Sequence, residues 1–303
     1  MIWITGGGGF LGRELARQRP DAVATTRAEV DLLNFDAVRR FVRDRGVDTI
    51  IHSGAHVGGL GFQLANAGSV AVHNTRMGIN VLEALAERGG HFVLVSTACI
   101  YPEDAPIPTP EDSVNTGPPA PSVAAYGHSK RMVHAAAEAL AKEGRLTFAT
   151  MVPSNIYGAG DHFDEAKSHV ASGLIRRAIE TVRRGEPEFK IWGTGRATRD
   201  FIHVRDAARA VLLGLKPEAH GELWNVGSGR EMPIREMAEL ILELVGFQGT
   251  TTWDTTKPDG TLRKTLDISK IQRGLGFEPS VSLADGLRET ITWAQEHLAN
   301  GHN

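Results

Sequence analysis

Three glycines stand at the spacing Gly6-x-x-Gly9-x-x-Gly12, after the apolar run Met1 to Thr5 and before a helical pattern from Phe10 to Arg19. That placement constrains the fold more than any other feature of the chain. Glycines at these steps let the backbone adopt positive φ and approach closely, so a diphosphate can rest on the N-terminus of the next helix. A glycine pattern alone also marks ordinary βα turns. A strand before it and a helix after it supply the context a dinucleotide loop requires. Gly6, Gly9, Phe10, Leu11 and Gly12 are therefore expected to cradle a dinucleotide.

The alternation continues. Val23 to Thr26, Thr49 to Ser53, Phe92 to Ser96 and Thr147 to Val152 read as strands. Asp36 to Arg45, Val72 to Arg88 and Ala125 to Lys142 read as the intervening helices, and the proline-rich stretch Pro102 to Pro121 as a loop. Strand–helix alternation of this kind predicts right-handed crossovers and a parallel sheet. Beyond residue 155 the pattern is less regular, with helices expected at Gly173 to Arg184 and Met232 to Val245. The expected architecture is α/β: a Rossmann-type doubly wound parallel sheet with a smaller C-terminal substrate-binding lobe. The sheet domain is placed at 1–155, completed by later segments roughly between 185 and 225, and the lobe mainly at 156–303.

Charge narrows the partners. Thirty-three Lys and Arg against 36 Asp and Glu give a formal charge of −3, so no basic field invites nucleic acid or acidic lipid. No apolar run approaches the roughly 18 residues of a membrane span. The opening Met-Ile-Trp-Ile-Thr lacks the charged segment of a secretory signal. Cys99 is the single cysteine, which excludes an internal disulfide and suits a reducing compartment, so a cytoplasmic location is expected.

The second strand ends in Thr25-Thr26-Arg27, without the carboxylate that usually meets a ribose 2′-hydroxyl. The Arg27 guanidinium suits a 2′-phosphate, although a solvated surface charge would look the same. Asp31 and Leu32 follow, placed to meet the adenine. NADP(H) is the expected cofactor.

Tyr126-Gly127-His128-Ser129-Lys130 opens a predicted helix, and residues i and i+4 share a helical face. An ammonium there is expected to lower the phenol from its usual value of about 10. Ser96-Thr97 ends a predicted central strand, where a hydroxyl can share a substrate oxygen. Glycine loop and Thr97, Tyr126 and Lys130 together resemble an extended short-chain dehydrogenase/reductase. Carboxylate-pair, metal-cluster and Ser/His/Asp chemistries find no comparable arrangement, and no metal is expected.

A narrower resemblance spans nearly the whole chain. It is carried by His56-Val57-Gly58-Gly59-Leu60, Cys99-Ile100-Tyr101-Pro102, Pro153-Ser154-Asn155-Ile156-Tyr157-Gly158 and Ser168-His169-Val170 with Leu174-Ile175-Arg176-Arg177. Trp192-Gly193-Thr194-Gly195, Arg199-Asp200-Phe201-Ile202-His203 and Lys257-Pro258-Asp259-Gly260 extend it. These stretches resemble the GDP-L-fucose synthase family, the GDP-4-keto-6-deoxy-D-mannose 3,5-epimerase-4-reductases. The resemblance implies Cys99 as base and His169 as acid for the epimerisations. It implies Tyr126, Lys130 and Thr97 for reduction at C4. Pro153, Asn155, Ile156 and His169 would flank the nicotinamide, and Arg177, Trp192, Arg199, Asp259 and Lys264 would hold the GDP-sugar. A homodimer through the helices at Val72 to Arg88 and Ala125 to Lys142 is also implied.

The chain departs from the family at Ser53-Gly54-Ala55, where Leu-Ala-Ala is usual, and over residues 61–69. It also has Gly158-Ala159-Gly160-Asp161-His162-Phe163 where Gly-Pro-His-Asp-Asn-Phe is usual. These departures leave other sugars open, such as a GDP-6-deoxy-heptose, and a single-activity reductase or epimerase. A non-catalytic NADP-binding sensor is the alternative from a different class; the complete catalytic set speaks against it.

Overall fold

The computed structural model describes residues 1–164, 168–256 and 261–299. The N-terminal part runs β1 (Ile2–Thr5), α1 (Phe10–Gln18), β2 (Val23–Thr25), α2 (Phe35–Asp44) and β3 (Thr49–His52). Next come α3 (Leu60–Ala65), α4 (Ala67–Ala86), β4 (His91–Val95), α5 (Ala124–Lys142) and β5 (Thr147–Pro153). Beyond them are β6 (Asn155–Tyr157), α6 (Val170–Arg184), β7 (Glu188–Trp192), β8 (Thr198–Arg199), β9 (Phe201–His203) and α7 (Val204–Leu213). The chain closes with β10 (Leu223–Val226), β11 (Met232–Pro233), α8 (Ile234–Val245), β12 (Thr250–Asp254), β13 (Arg263–Lys264), α9 (Ser269–Leu275) and α10 (Leu283–Ala299).

The central sheet has six strands in the order β10-β5-β4-β3-β1-β2, all paired parallel. Successive strand residues point to opposite faces, so both faces must be covered when neighbours in sequence are all apolar. Trp3 and Ile4 divide in this way, as do Ile50 with Ile51 and Phe92 with Val93. One face packs Ile4, Ile51 and Val93 against Leu15 of α1 and Val211 of α7. The other packs Trp3, Ile50 and Phe92 against Val38 of α2, Leu85 of α4 and Val133 of α5. A third core, with Ile175, Ile179, Met237, Ile241 and Leu287, joins α6, α8 and α10 in the C-terminal lobe. That lobe carries three small sheets: β7 with β12, β8 between β11 and β13, and β6 with β9.

Strand order reverses between β1 and β3, so the crevice beyond their carboxyl ends is where a ligand has room. Two elements differ from expectation. Residues 60–65 form α3, and α4 begins at Ala67 instead of Val72. The helical signal is weak there because Gly61, Gly68 and polar residues interrupt it; Asn74, buried, ties α4 to the His56 backbone by two hydrogen bonds of 2.9 Å. Among the described residues no helix is long and apolar enough to cross a membrane.

Candidate active site

Gly6 has φ +70°, and a Cβ there would lie 2.7 Å from the Cα of Gly54. A Cβ on Gly12 would come within 2.1 Å of the Gly6 carbonyl oxygen. The loop therefore closes on α1 only with hydrogen at both positions. The N-terminus of α1 has no side-chain cap and no acid in its first turn, so the amides around Phe10 and Leu11 keep their donors for an anion. Leu11 itself is core, and Phe10 is half-buried. Arg27 is solvent-exposed with its Nε 4.0 Å from Asp31 Oδ1, while Leu32 is buried and packs against Gly54.

Below this loop, Thr5 at the end of β1 accepts the Gly54 amide at 3.1 Å and meets His52 Nδ1 at 2.9 Å. The acceptor role toward Gly54 leaves the hydroxyl proton for His52 Nδ1. Burial, and then the charge of Lys130, hold His52 well below its ordinary value, so the imidazole is neutral.

Beyond the end of β4, Thr97 Oγ1 accepts the Cys99 amide at 3.2 Å, starting a single turn that presents Cys99. The first turn of α5 packs on that segment at Gly127, whose absent Cβ would otherwise lie 2.3 Å from the Cys99 carbonyl oxygen. Tyr126 and Cys99 are thereby brought together. Lys130 Nζ donates to the Val95 carbonyl at 2.8 Å and stands 5.8 Å from the centre of the Tyr126 ring. Thr97, Cys99, Tyr126 and Lys130 thus converge at one strand end.

The electrostatics correct one expectation. Tyr126 is pushed up, first by burial and then by Cys99, and not lowered by Lys130. Lys130 is itself pushed down to about 8 by burial. A desolvated phenol keeps its proton, which makes it a proton donor.

Pro153, buried, ends β5 beside Val226. Asn155 donates its amide and its Nδ2 to the Asp200 carbonyl at 3.1 and 2.9 Å, and Asn155 and Ile156 are half-buried in β6. His169 is exposed at the N-terminus of α6, its amide bonded to Ser172 Oγ at 3.1 Å.

Of the expected sugar-nucleotide residues, Trp192, Arg199 and Lys264 fall on two small sheets and Arg177 on α6. Arg199 and Lys264 are register partners on β8 and β13, which sets two cations side by side. Arg263, beside Lys264, is held in an ion pair with Glu231. Trp192 ends β7 and is 69% exposed, and Arg177 donates to the Lys190 carbonyl and stands over the Phe189 ring. Arg177 also lines a cleft of about 340 Å³ with Arg176, Arg184 and Lys190; none of Thr97, Cys99, Tyr126 or Lys130 borders it. Asp259 lies outside the described residues.

Three residues around this site escaped the sequence reading. Arg13 on α1 donates to the Gly8 carbonyl at 2.6 Å and to the Gly160 carbonyl at 2.5 Å. The second partner is 147 residues away, so no local signal marks it. His52 closes the network above. Asp161 is buried beneath α6, although its segment reads only as a departure from a motif.

The NAD dependent epimerase/dehydratase family matches residues 2–227. A protein of Oryza sativa subsp. japonica named "Probable GDP-L-fucose synthase 1" is 35% identical over 98% of this chain and 92% of its own. "GDP-L-fucose synthase" of Escherichia coli (strain K12) is 31% identical over 98% of this chain and 97% of its own. The crystal structure of a GDP-L-fucose synthetase from Naegleria fowleri bound to NADP superposes with a TM-score of 0.90, at 25% identity, covering 98% of this chain and 93% of that one.

Proposed function

The chain belongs to the NAD dependent epimerase/dehydratase family, among its GDP-L-fucose synthases, and from that premise we propose that it converts GDP-4-keto-6-deoxy-D-mannose to GDP-L-fucose. The observation that carries the reading is the convergence of Thr97, Cys99, Tyr126 and Lys130 at the end of β4. It is a sugar-nucleotide epimerase/reductase.

The C4 ketone acidifies the hydrogens at C3 and C5. Cys99 takes each proton from one face of the ring, and His169 returns one to the opposite face of the enolate, which inverts the centre. Tyr126 then gives its proton to the C4 oxygen, held by Thr97, as the carbonyl is reduced. Lys130, fixed on the Val95 carbonyl, supports the phenolate left behind. Burial that keeps the Tyr126 proton in place suits that role.

The residues present fit NADP(H). The glycine cradle has room only for backbone, the α1 N-terminus offers free donors, and Arg27, exposed just past the end of β2, has the guanidinium that would suit a 2′-phosphate. When bound, this cofactor supplies the hydride for C4. Pro153, Asn155 and Ile156 would line the nicotinamide, and Arg199, Lys264, Arg177 and Trp192 the GDP moiety. Val72 on α4 and Met132 on α5 are apolar and about half exposed, which supports a homodimer through these helices. A free cysteine at the reacting centre suits the reducing cytoplasm.

The test gives the purified protein GDP-4-keto-6-deoxy-D-mannose in deuterated water, with and without NADPH. Deuterium at C3 and C5 together with loss of nicotinamide absorbance is expected, and Cys99→Ser abolishes the label. Oxidation of NADPH without label would identify a plain 4-reductase. NADPH binding with neither event would exclude this sugar.

A further inference from the structure

Asp161 sits in the turn between β6 and α6 and is 6% exposed. Its Oδ1 accepts the His162 amide at 2.7 Å, whereas its buried Oδ2 has no hydrogen-bond partner among the described residues. An unpaired buried carboxylate oxygen costs stability, so its retention calls for a reason. The turn around it is held firmly. Arg13 fixes the carbonyl of Gly160 and Arg176 fixes that of Phe163, at 2.5 and 3.0 Å. Burial pushes the Asp161 carboxyl up, and the strongest opposing influence is the charge of His169. Ser172, in the first turn of α6, accepts the His169 amide and donates its hydroxyl to the His169 carbonyl, at 3.1 and 3.2 Å.

We infer that Asp161 is a positioning residue for His169, its unpartnered oxygen taking an imidazole N–H and aiming the ring at the sugar carbon. An imidazole has two distinct nitrogens, and the partner of one fixes which proton the other presents. His169 stands exposed at the N-terminus of α6, where a capping box with Ser172 sets one side of its ring toward the helix backbone and leaves the other for a partner. Arg13 adds a consequence: the same turn is tied to the cofactor loop through Gly8, so acid and cofactor are registered to one another. The inference rests on the epimerase reading of this site.

The test is a double-mutant cycle of D161N with H169Q, read by deuterium wash-in at C3 and C5 and by NADP⁺-dependent oxidation of GDP-L-fucose. D161N is expected to lower kcat for wash-in about 10- to 100-fold with KM within about twofold. The wash-in loss should exceed any loss in oxidation by about tenfold, and D161N/H169Q should be no slower than H169Q alone. Unchanged wash-in in D161N, equal losses in both assays, or additive losses in the double variant would overturn the inference. If D161N does not fold, judged by NADPH binding, Asp161→Glu carries the same cycle and the same criteria. Wild-type protein without wash-in sinks the epimerase reading and this inference with it; wild-type wash-in with an insensitive D161N sinks the inference alone.

Discussion

At the glycine loop the walls are backbone, and in the C-terminal lobe the groups proposed to meet the sugar nucleotide are side chains. Gly6 and Gly12 approach Gly54 and each other so closely that a single methyl group has no space, and the donors offered are helix amides. In the lobe, Trp192, Arg199 and Lys264 stand on sheets of two or three strands and Arg177 on α6. A backbone site admits few substitutions and recognises what every dinucleotide shares. A side-chain site can be altered residue by residue without disturbing the sheet, which lets relatives of one fold take different sugars.

Substitutions can break or sharpen this contrast. The largest effect is expected where both halves meet: Lys130→Met should lower NADPH-linked turnover about 100- to 10,000-fold, while NADPH still binds in a fluorescence titration. Gly12→Ala should come next. Its Cβ meets the Gly6 carbonyl oxygen at 2.1 Å, and overpacking of about 1–3 kcal/mol raises the NADPH dissociation constant about 10- to 100-fold. A small change there would refute the backbone account of the cofactor end. Arg199→Ala should raise KM for the sugar nucleotide about tenfold with the NADPH titration unmoved, as loss of one charge-assisted contact predicts.

A fourth prediction moves to the opposite end of the sheet. His91 bonds the Gly214 carbonyl at 2.7 Å and Thr147 at 2.8 Å, and its ring stacks on His220. Burial holds it down to about 4. The unfolded chain therefore binds the extra proton first, and the stabilising contribution, complete above about pH 6.5, is lost as pH falls toward 4. Thermal melts should show Tm declining by a few degrees across that window, and His91→Gln should flatten the decline without changing turnover. Smallest is Trp192→Ala. At 69% exposure it should shift stability by no more than about 0.5 kcal/mol, while raising KM for the sugar nucleotide.

Legibility followed the same division. The alternating strands and helices of the sheet stand close to where periodicity puts them, because strand and helix periods are local properties of the chain. Gly6-x-x-Gly9-x-x-Gly12 and Tyr126 with Lys130 were readable for the same reason. Helix α3 was hidden, since it is only six residues long, Gly61 and Gln63 interrupt its apolar residues, and none of its side chains is buried. The small sheets of the lobe were also hidden. β8 and β13 are two residues each, too short for any period to register.

The sequence by itself determined the glycine cradle and the handed alternation of the sheet, and it set Tyr126 and Lys130 on one helical face. All of these rest on spacing along the chain, whereas the roles proposed for Cys99 and His169 rest on the family resemblance. Only the tertiary structure decided that Arg13 ties the glycine loop to Gly160, that Asp161 lies buried beneath α6, and that the Tyr126 phenol is raised instead of lowered. The physical reason is that hydrogen-bond partners and desolvation belong to positions in space, and residues far apart in sequence acquire them only when the sheet and the lobe have closed on one another.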